Sequence, residues 1–397
     1  MEKLRTLVNQ IAHTQSSKRR STLSPLQLSL IPFLSFASSV YGHALSIRHS
    51  LYDLGLFRRY RLPVPVISIG NLTWGGNGKT PMVEFISHWL VESGVTPLIL
   101  TRGYANGDEA KMLERHFSGT CVKIGIGANR AATAASFIER HGFVDPYKTS
   151  LLMGCSPKDR DVLELDRVGM IVLDDGMQHL SLERDLEIVM VNAMIPWGNG
   201  KLIPLGPLRE PLTAIRRADV AVVHHADLAS EQDIEFIEKM LQGLKESLPV
   251  FFTKMSPCFF FIAGNTKRIL PLNSLHLKVI LCVSAIGFAD AFKLTIKKID
   301  PLHVDELYFS DHHLFEAEDI RVIIERLENL HAQFHSPPVV VVTEKDYDRE
   351  PGILQHLHPF EVLVLCSELQ FISRKGSTSE NYKALLKQLL KARLLHQ

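Results

Sequence analysis

The chain has 397 residues, 46% of them hydrophobic and 22% charged, a globular composition of about two to three average domains that excludes a disordered chain, a collagen-like fibre and a coiled coil. Lys and Arg total 44 against 43 Asp and Glu, a formal charge of +1, so no global basic field exists to bind nucleic acid. The five cysteines, at positions 121, 155, 258, 282 and 366, are scattered without a CxxC pair, which excludes a cysteine-rich zinc site and favours a reducing compartment.

Residues 1–20 carry Lys3, Arg5, Lys18, Arg19 and Arg20 against one acid, Glu2, among frequent Ser and Thr. A basic, serine-rich, acid-poor leader fits an organelle transit peptide. Residues 21–47 then hold no Asp, Glu, Lys or Arg. Leu30, Phe33, Leu34, Ala37, Tyr41, Ala44 and Leu45 recur at helical spacing, with Ser35, Ser39, Gly42 and Ser46 on the other side. The two prolines, the glutamine, the histidine and the serines argue against a bilayer span, and Arg48, Arg58, Arg59 and Arg61 follow closely. Residues 21–50 are therefore expected to form a helix lying in a membrane interface, with the arginines near anionic head groups.

Beyond residue 60 strand and helix patterns alternate. Strands are expected at Val66–Ile69, Pro97–Leu100, Met170–Leu173, Leu186–Val191, Val220–Val223, Val279–Ser284, 339–343 and 362–366. Helices are expected at Met82–Ser93, Gly127–Glu139, 230–246, 316–331 and 380–394. This order predicts an α/β fold: a P-loop-like parallel sheet with helices on both faces. The expected division is a core over 51–225 and a second, smaller α/β lobe over 226–397 that includes the C-terminal helix.

The sharpest motif is Gly70-Asn71-Leu72-Thr73-Trp74-Gly75-Gly76-Asn77-Gly78-Lys79-Thr80-Pro81, between a predicted strand and a predicted helix. That is the setting a phosphate-binding loop requires. Backbone N–H groups of Gly75, Gly76, Asn77 and Gly78 are expected to cradle phosphate oxygens at the positive end of the following helix. Lys79 is expected to reach the β- and γ-phosphates and the Thr80 hydroxyl to bind Mg²⁺. The position where the common signature has its first glycine is Thr73. Downstream, Gly169–Leu173 is an apolar strand ending in Asp174-Asp175, which would deliver carboxylates for Mg²⁺ at the same sheet edge.

Other side chains admit two readings. Arg209 and Glu210 fit a substrate-phosphate clamp or a structural ion pair. His224 and His225 end an apolar strand and read as structural. Asp311-His312-His313 lacks the further ligands a zinc site needs. Thr343-Glu344-Lys345-Asp346 faintly matches a guanine-specifying motif, which keeps a membrane-associated P-loop GTPase switch or chaperone as the alternative function.

In ordered series, these motifs resemble the tetraacyldisaccharide 4′-kinase family. The resemblance runs from Ser24-Pro25-Leu26 through Arg61–Ile67, the phosphate loop, Thr101-Arg102-Gly103-Tyr104 and Gly107-Asp108-Glu109. It continues with Asp174-Asp175-Gly176-Met177-Gln178-His179, Gly206–Pro211, Phe309–His313 and Thr343–Asp346. The family also lacks the first glycine of the loop. The resemblance implies ATP- and Mg²⁺-dependent phosphorylation of the 4′-hydroxyl of a tetraacylated glucosamine disaccharide 1-phosphate, by a monomer in peripheral membrane contact. It implies Asp108 as general base assisted by His312, and Asp174 and Asp175 as Mg²⁺ and transition-state carboxylates. Arg102, Tyr104, Gln178, His179 and Arg209 are implied on the substrate side. The family's longer loop before Gly107 is cut here to Ala105-Asn106. The extra basic leader points to an organelle-targeted member at the mitochondrial inner membrane surface. Without a functioning leader, the expectation is a membrane surface facing cytosol or plastid stroma.

Overall fold

The computed structural model describes residues 2–14, 16–103, 107–146 and 166–395. They form two compact units: Met1–Arg102 with Gly119–Lys254 and Phe371–Gln397, and Gly103–Ser118 with Met255–Gln370. The units are interleaved along the chain, unlike the consecutive segments expected from the order of strand and helix patterns.

In the first unit, strands β1 (Val66–Gly70), β2 (Pro97–Thr101), β3 (Lys123–Ile126), β4 (Met170–Asp174), β5 (Leu186–Asn192) and β6 (Val220–His224) pair in parallel in the order β6-β5-β1-β4-β2-β3. Residues Val250–Thr253, opening strand β7 (Val250–Ile262), pair with β6. Strands β1, β2, β4, β5 and β6 are buried along their whole length, as continuous apolar runs in a doubly covered parallel sheet should be. β3 escapes the sequence pattern because it is a short, partly exposed Lys-Ile-Gly-Ile edge. Register places Ile69 opposite Asp174, so the loop after β1 and the Asp174-Asp175 pair leave the sheet side by side. Helix Lys79–Glu92 buries Met82, Val83, Ile86, Trp89 and Leu90 against this sheet.

The C-terminal helix, Ser379–Leu395, belongs to this first unit. Its Tyr382 is fully buried among Phe85, Phe251 and Phe371, with its hydroxyl 3.4 Å from Met82 Sδ. That aromatic cluster, hundreds of residues apart in sequence, explains why the chain returns.

The N-terminal helix spans Pro25–Asp53. Ser24 caps it: its hydroxyl accepts from Gln27 N, and Gln27 Oε1 accepts from Ser24 N at 2.8 Å. Pro25 sits at the first helical position, where a missing N–H is harmless. Leu34, Tyr41 and Leu45 of the expected apolar strip turn inward, but Phe33 and Ala44 do not. Polar groups replace them: Ser38 donates to Leu202 O and Tyr41 to Arg209 O, each at 2.8 Å, and Arg48 donates to Gln178 O at 2.9 Å. Phe33 and Phe36, 69% and 70% exposed, point away with Val40 and Ile47. Helix Glu2–His13 precedes it, and Ile11 packs with Leu23, Leu34 and Leu205 in a small core.

The second unit has β9 (Val279–Ser284), β10 (His303–Tyr308), β11 (Val339–Thr343) and β12 (Val362–Phe371), parallel in the order β10-β9-β11-β12. The remainder of β7 forms an antiparallel hairpin with β8 (Asn265–Leu270). Residues 226–275, irregular by pattern, thus contain the longest strand, whose alternation breaks at a bulge near Phe261 and Ile262. Helix Asp108–His116 joins this unit by docking on helix Glu344–Arg349. Arg115 pairs with Glu344 and Asp348 at 2.8 Å each, His116 with Glu344 at 2.8 Å, and Lys345 with Glu109 at 3.0 Å.

Candidate active site

The phosphate loop closes β1 onto helix Lys79–Glu92. Gly78 takes φ +76°, and a Cβ there would lie 2.4 Å from His224 Cδ2, so a side chain is excluded twice over. Thr73 is not in a left-handed conformation, which removes the need for glycine. Its hydroxyl accepts from Asn77 Nδ2 at 3.1 Å, and the same amide reaches Gly75 O at 3.3 Å. Asn192 Nδ2 donates to Gly76 O at 2.9 Å. The Asn77 side chain therefore frames the loop from within, leaving only its backbone N–H for an anion.

Opposite the loop, Asp175 adopts φ +51°. Arg209 grips both its oxygens at 2.7 Å, and Lys79 Nζ lies 3.7 Å from Oδ1. Burial pushes the Asp175 carboxyl up, but the Lys79 and Arg209 charges outweigh it and hold it well below the usual carboxylate range. Arg209 also donates to Asn71 O at 3.2 Å. Glu210 is separate from this pair: it is buried against Arg217 at 2.8 Å and His49 at 3.2 Å. Thr80 and Asp174 are both buried, at the helix start and the strand end. A hydroxyl and a carboxylate at one sheet edge form an all-oxygen donor set that fits Mg²⁺.

The segment Asp174–His179 is fixed by its carbonyls. Arg130 donates to Asp174 O at 2.9 Å, and Arg184 donates to Gly176 O at 3.0 Å and His179 O at 2.9 Å. Gln178 Nε2 donates to Asn71 O at 3.0 Å. Burial and the neighbouring arginines, Arg130 first, push the His179 imidazole down to about 4, so it is neutral at physiological pH. Arg130 and Arg184 were invisible as site residues because each opens or precedes an ordinary element and lies outside any short motif. Arg102 is exposed at the end of β2, and Tyr104 lies outside the described residues. His224 and His225 are buried, with His224 Nδ1 3.0 Å from Thr253 Oγ1. Burial drives both imidazoles below their ordinary range, the His225 ring to about 4.

The second unit carries its own cluster. Asp108 follows the left-handed Gly107 at the start of its helix and is 1% exposed. His312, at φ +63°, brings Nδ1 within 3.0 Å of Asp108 Oδ2. Burial pushes the Asp108 carboxyl up, but the hydrogen bond from His312 and the Lys345 charge outweigh it and hold it at about 2. His313 turns away to Asp319 at 2.7 Å. Among the described residues no three His, Cys, Asp or Glu side chains cluster as metal ligands. Asp346 is 0% exposed, accepts from Ala285 N at 3.1 Å and pairs with Arg349 at 2.8 Å. That carboxylate is committed to the protein's own backbone and side chains, which disfavours the guanine-specifying reading.

A glycine-rich loop between a buried central strand and a helix, facing a strand that ends in two aspartates, defines a P-loop nucleotide-binding fold. A family model, tetraacyldisaccharide-1-P 4′-kinase, matches residues 30–389. The chain is 54% identical over 394 residues, 99% of each protein, to a probable mitochondrial tetraacyldisaccharide 4′-kinase of Arabidopsis thaliana. It is 31% identical over 400 residues to the tetraacyldisaccharide 4′-kinase of Syntrophus aciditrophicus (strain SB), covering 94% of this chain and 95% of that one. Its fold is similar, at TM-score 0.57 and 22% identity, to LpxK from Aquifex aeolicus, crystallised with ATP, over 92% of this chain and 99% of that chain. The chain belongs to the tetraacyldisaccharide 4′-kinase family.

Proposed function

We propose that the chain is an ATP-dependent lipid kinase that phosphorylates the 4′-hydroxyl of a tetraacylated glucosamine disaccharide 1-phosphate. The observation that carries this reading is an intact phosphate loop, with Lys79 beside Asp175, in a chain that matches the family over residues 30–389. The loop amides and Lys79 neutralise the triphosphate, which is most of what phosphoryl transfer asks of a protein. Thr80 and Asp174 would hold Mg²⁺, which supplies further neutralisation of phosphate charge. Asp175 has both oxygens on Arg209, so its part is electrostatic, aligning Lys79 and Arg209 toward developing charge. Arg102, Tyr104, Gln178 and His179 are assigned to the lipid's polar head.

The acceptor hydroxyl is a poor nucleophile and must lose its proton as it attacks. The Asp108–His312 pair is assigned to take it. The hydroxyl oxygen forms the new bond to the γ-phosphorus, and the bond to the β,γ-bridging oxygen breaks with its electron pair leaving on ADP. The purified protein with Mg²⁺ and a tetraacylated disaccharide 1-phosphate is expected to release the 4′-phosphorylated lipid from ATP far faster than from GTP. Preference for GTP, or hydrolysis indifferent to the lipid, overturns the assignment.

The outward Phe33, Phe36, Val40 and Ile47 support docking of helix Pro25–Asp53 into a membrane surface. Phe33→Asp with Phe36→Asp is expected to lower partitioning onto anionic liposomes about tenfold or more, because burying one aromatic ring contributes roughly 1.5–3 kcal/mol. Nucleotide affinity should be unaltered; equal flotation of both proteins rejects the docking face. The basic leader and the mitochondrial Arabidopsis relative support a mitochondrial membrane as the site of action.

A further inference from the structure

We propose that the basic leader is not shed whole: residues 8–14 stay in the working enzyme as a prop for the phosphate loop, Asn199 is the positioning residue that joins them to it, and any presequence cut falls before Val8. The effect on ATP rests on the kinase reading; the retention of the segment does not. A transit peptide is removed from the mature protein, whereas the end of helix Glu2–His13 is built into the fold. Ile11 and Ala12 are both 0% exposed, and Val8 packs against the cluster of Ile11, Leu23, Leu34 and Leu205. The last carbonyls of a helix have no partner within it. Here the loop after β5 supplies one to each of two: Asn199 N donates to Ala12 O at 3.0 Å, and Asn199 Nδ2 donates to Ile11 O at 3.1 Å. Gly198 permits that approach. It takes φ +54°, and a Cβ there would stand 2.9 Å from Ala12 O.

The same asparagine ties its own loop together. Its Nδ2 also donates to Leu205 O at 2.8 Å, and its Oδ1 accepts from Lys201 N at 3.0 Å. Ile203 N then donates to Leu208 O at 2.9 Å, and Leu208 N donates to Lys201 O at 3.1 Å. The loop so folded borders the phosphate loop. Leu208 pairs with Thr73 as a β-bridge, Trp74 N donates to Pro207 O at 3.1 Å, and Arg209 N donates to Leu72 O at 2.6 Å. One continuous run of backbone bonds therefore leads from the leader to the residues that open the phosphate loop and to the arginine that holds Asp175. A cut among Lys18, Arg19 and Arg20 would take away both acceptors on the leader and uncover Leu34 and Leu205. Unmade hydrogen bonds and bared apolar surface both cost stability.

The test keeps the full chain. Its mature N-terminus, read by mass spectrometry on protein recovered from Arabidopsis mitochondria through a C-terminal tag, is expected at or before Val8; a start beyond Val8 overturns the retention. Ile11→Asp, which places a charge where the leader packs, is followed by amide hydrogen exchange beside the unaltered protein. Exchange is expected to quicken about tenfold or more over residues 197–208 and 72–78, and to stay as it was in strand β2 and helix Arg130–His141. Unchanged exchange at 72–78, or loosening everywhere alike, overturns the coupling. Asn199→Ala is expected to quicken exchange over the same two segments and to raise KM for ATP about tenfold with a smaller change in kcat; an unchanged KM and unchanged exchange remove Asn199 from the role. Absence of lipid phosphorylation by the unaltered protein would instead sink the kinase reading, while the N-terminus and the exchange pattern still decide this one.

Discussion

Lys79→Ala is expected to lower kcat/KM by about 10³-fold or more, ~4 kcal/mol of transition-state stabilisation. The side chain stands at the start of the helix after the loop, 3.7 Å from Asp175. Its ammonium is the one side-chain cation supplied by the loop itself, and phosphoryl transfer depends on neutralising the oxygens that gain charge. The substitution should leave the loop standing. Asn77 and Asn192 brace it through carbonyls and the Thr73 hydroxyl, and Arg209 continues to hold Asp175. The partly exposed Lys79–Asp175 pair contributes little to folding, about 1 kcal/mol at most. Steady-state transfer of labelled γ-phosphate, read beside a thermal melt, separates the two effects. Turnover at the normal rate in a folded variant refutes the loop assignment.

Asp108→Ala is expected to cut kcat by about 10²–10⁴-fold while nucleotide binding, measured by calorimetry, stays intact. Without the carboxylate, His312 loses its hydrogen-bond partner at 3.0 Å, and Arg349 keeps Asp346 as its counter-charge. The substitution also predicts a pH signature. Folding lowers the Asp108 carboxyl from an ordinary 3.8 to about 2. A depressed carboxylate stabilises the fold fully above its unfolded pKa and progressively less as pH falls through the folded one. The unaltered protein should therefore lose about 2 kcal/mol from this group between roughly pH 5 and 2. The variant's acid limb should lack that component. Near-normal turnover after the substitution would remove Asp108 from the mechanism altogether.

The parts of this molecule that the sequence announces are those whose chemistry is local. Strands β1, β4, β5 and β6 are apolar runs because both faces are covered. Gly78 and Lys79 stand together because a loop must turn and bind within a few residues. The Asp174-Asp175 pair is visible because a buried strand rarely ends in two acids without a use. What stayed hidden depends on distant pairings. Arg349 lies 241 positions from Asp108, and nothing in Tyr347-Asp348-Arg349 signals that carboxylate as a partner. The guanine-like pattern of Thr343–Asp346 misleads for the same reason: Glu344 and Lys345 pair with helix Asp108–His116, while Asp346 holds Ala285 N and Arg349. The division into units was obscured because residues 103–118 fold with the second unit through ion pairs, while the last helix returns through aromatic packing around Tyr382. On the N-terminal helix, hydrophobicity alone could not reveal that serine, tyrosine and arginine would be the anchors.

Those anchors bear on how the enzyme can be handled. Tyr41 and Arg48 fasten the backbones of Arg209 and Gln178, the residues that clasp Asp175 and brace Asn71. Clipping the leader and first long helix to obtain a detergent-free preparation would loosen the clasp along with the proposed membrane contact, and lost turnover would be misread as a need for lipid. Repainting only the outer surface at Phe33, Phe36, Val40 and Ile47 with polar side chains leaves the tethers in place, and is the sounder route to a water-loving working form.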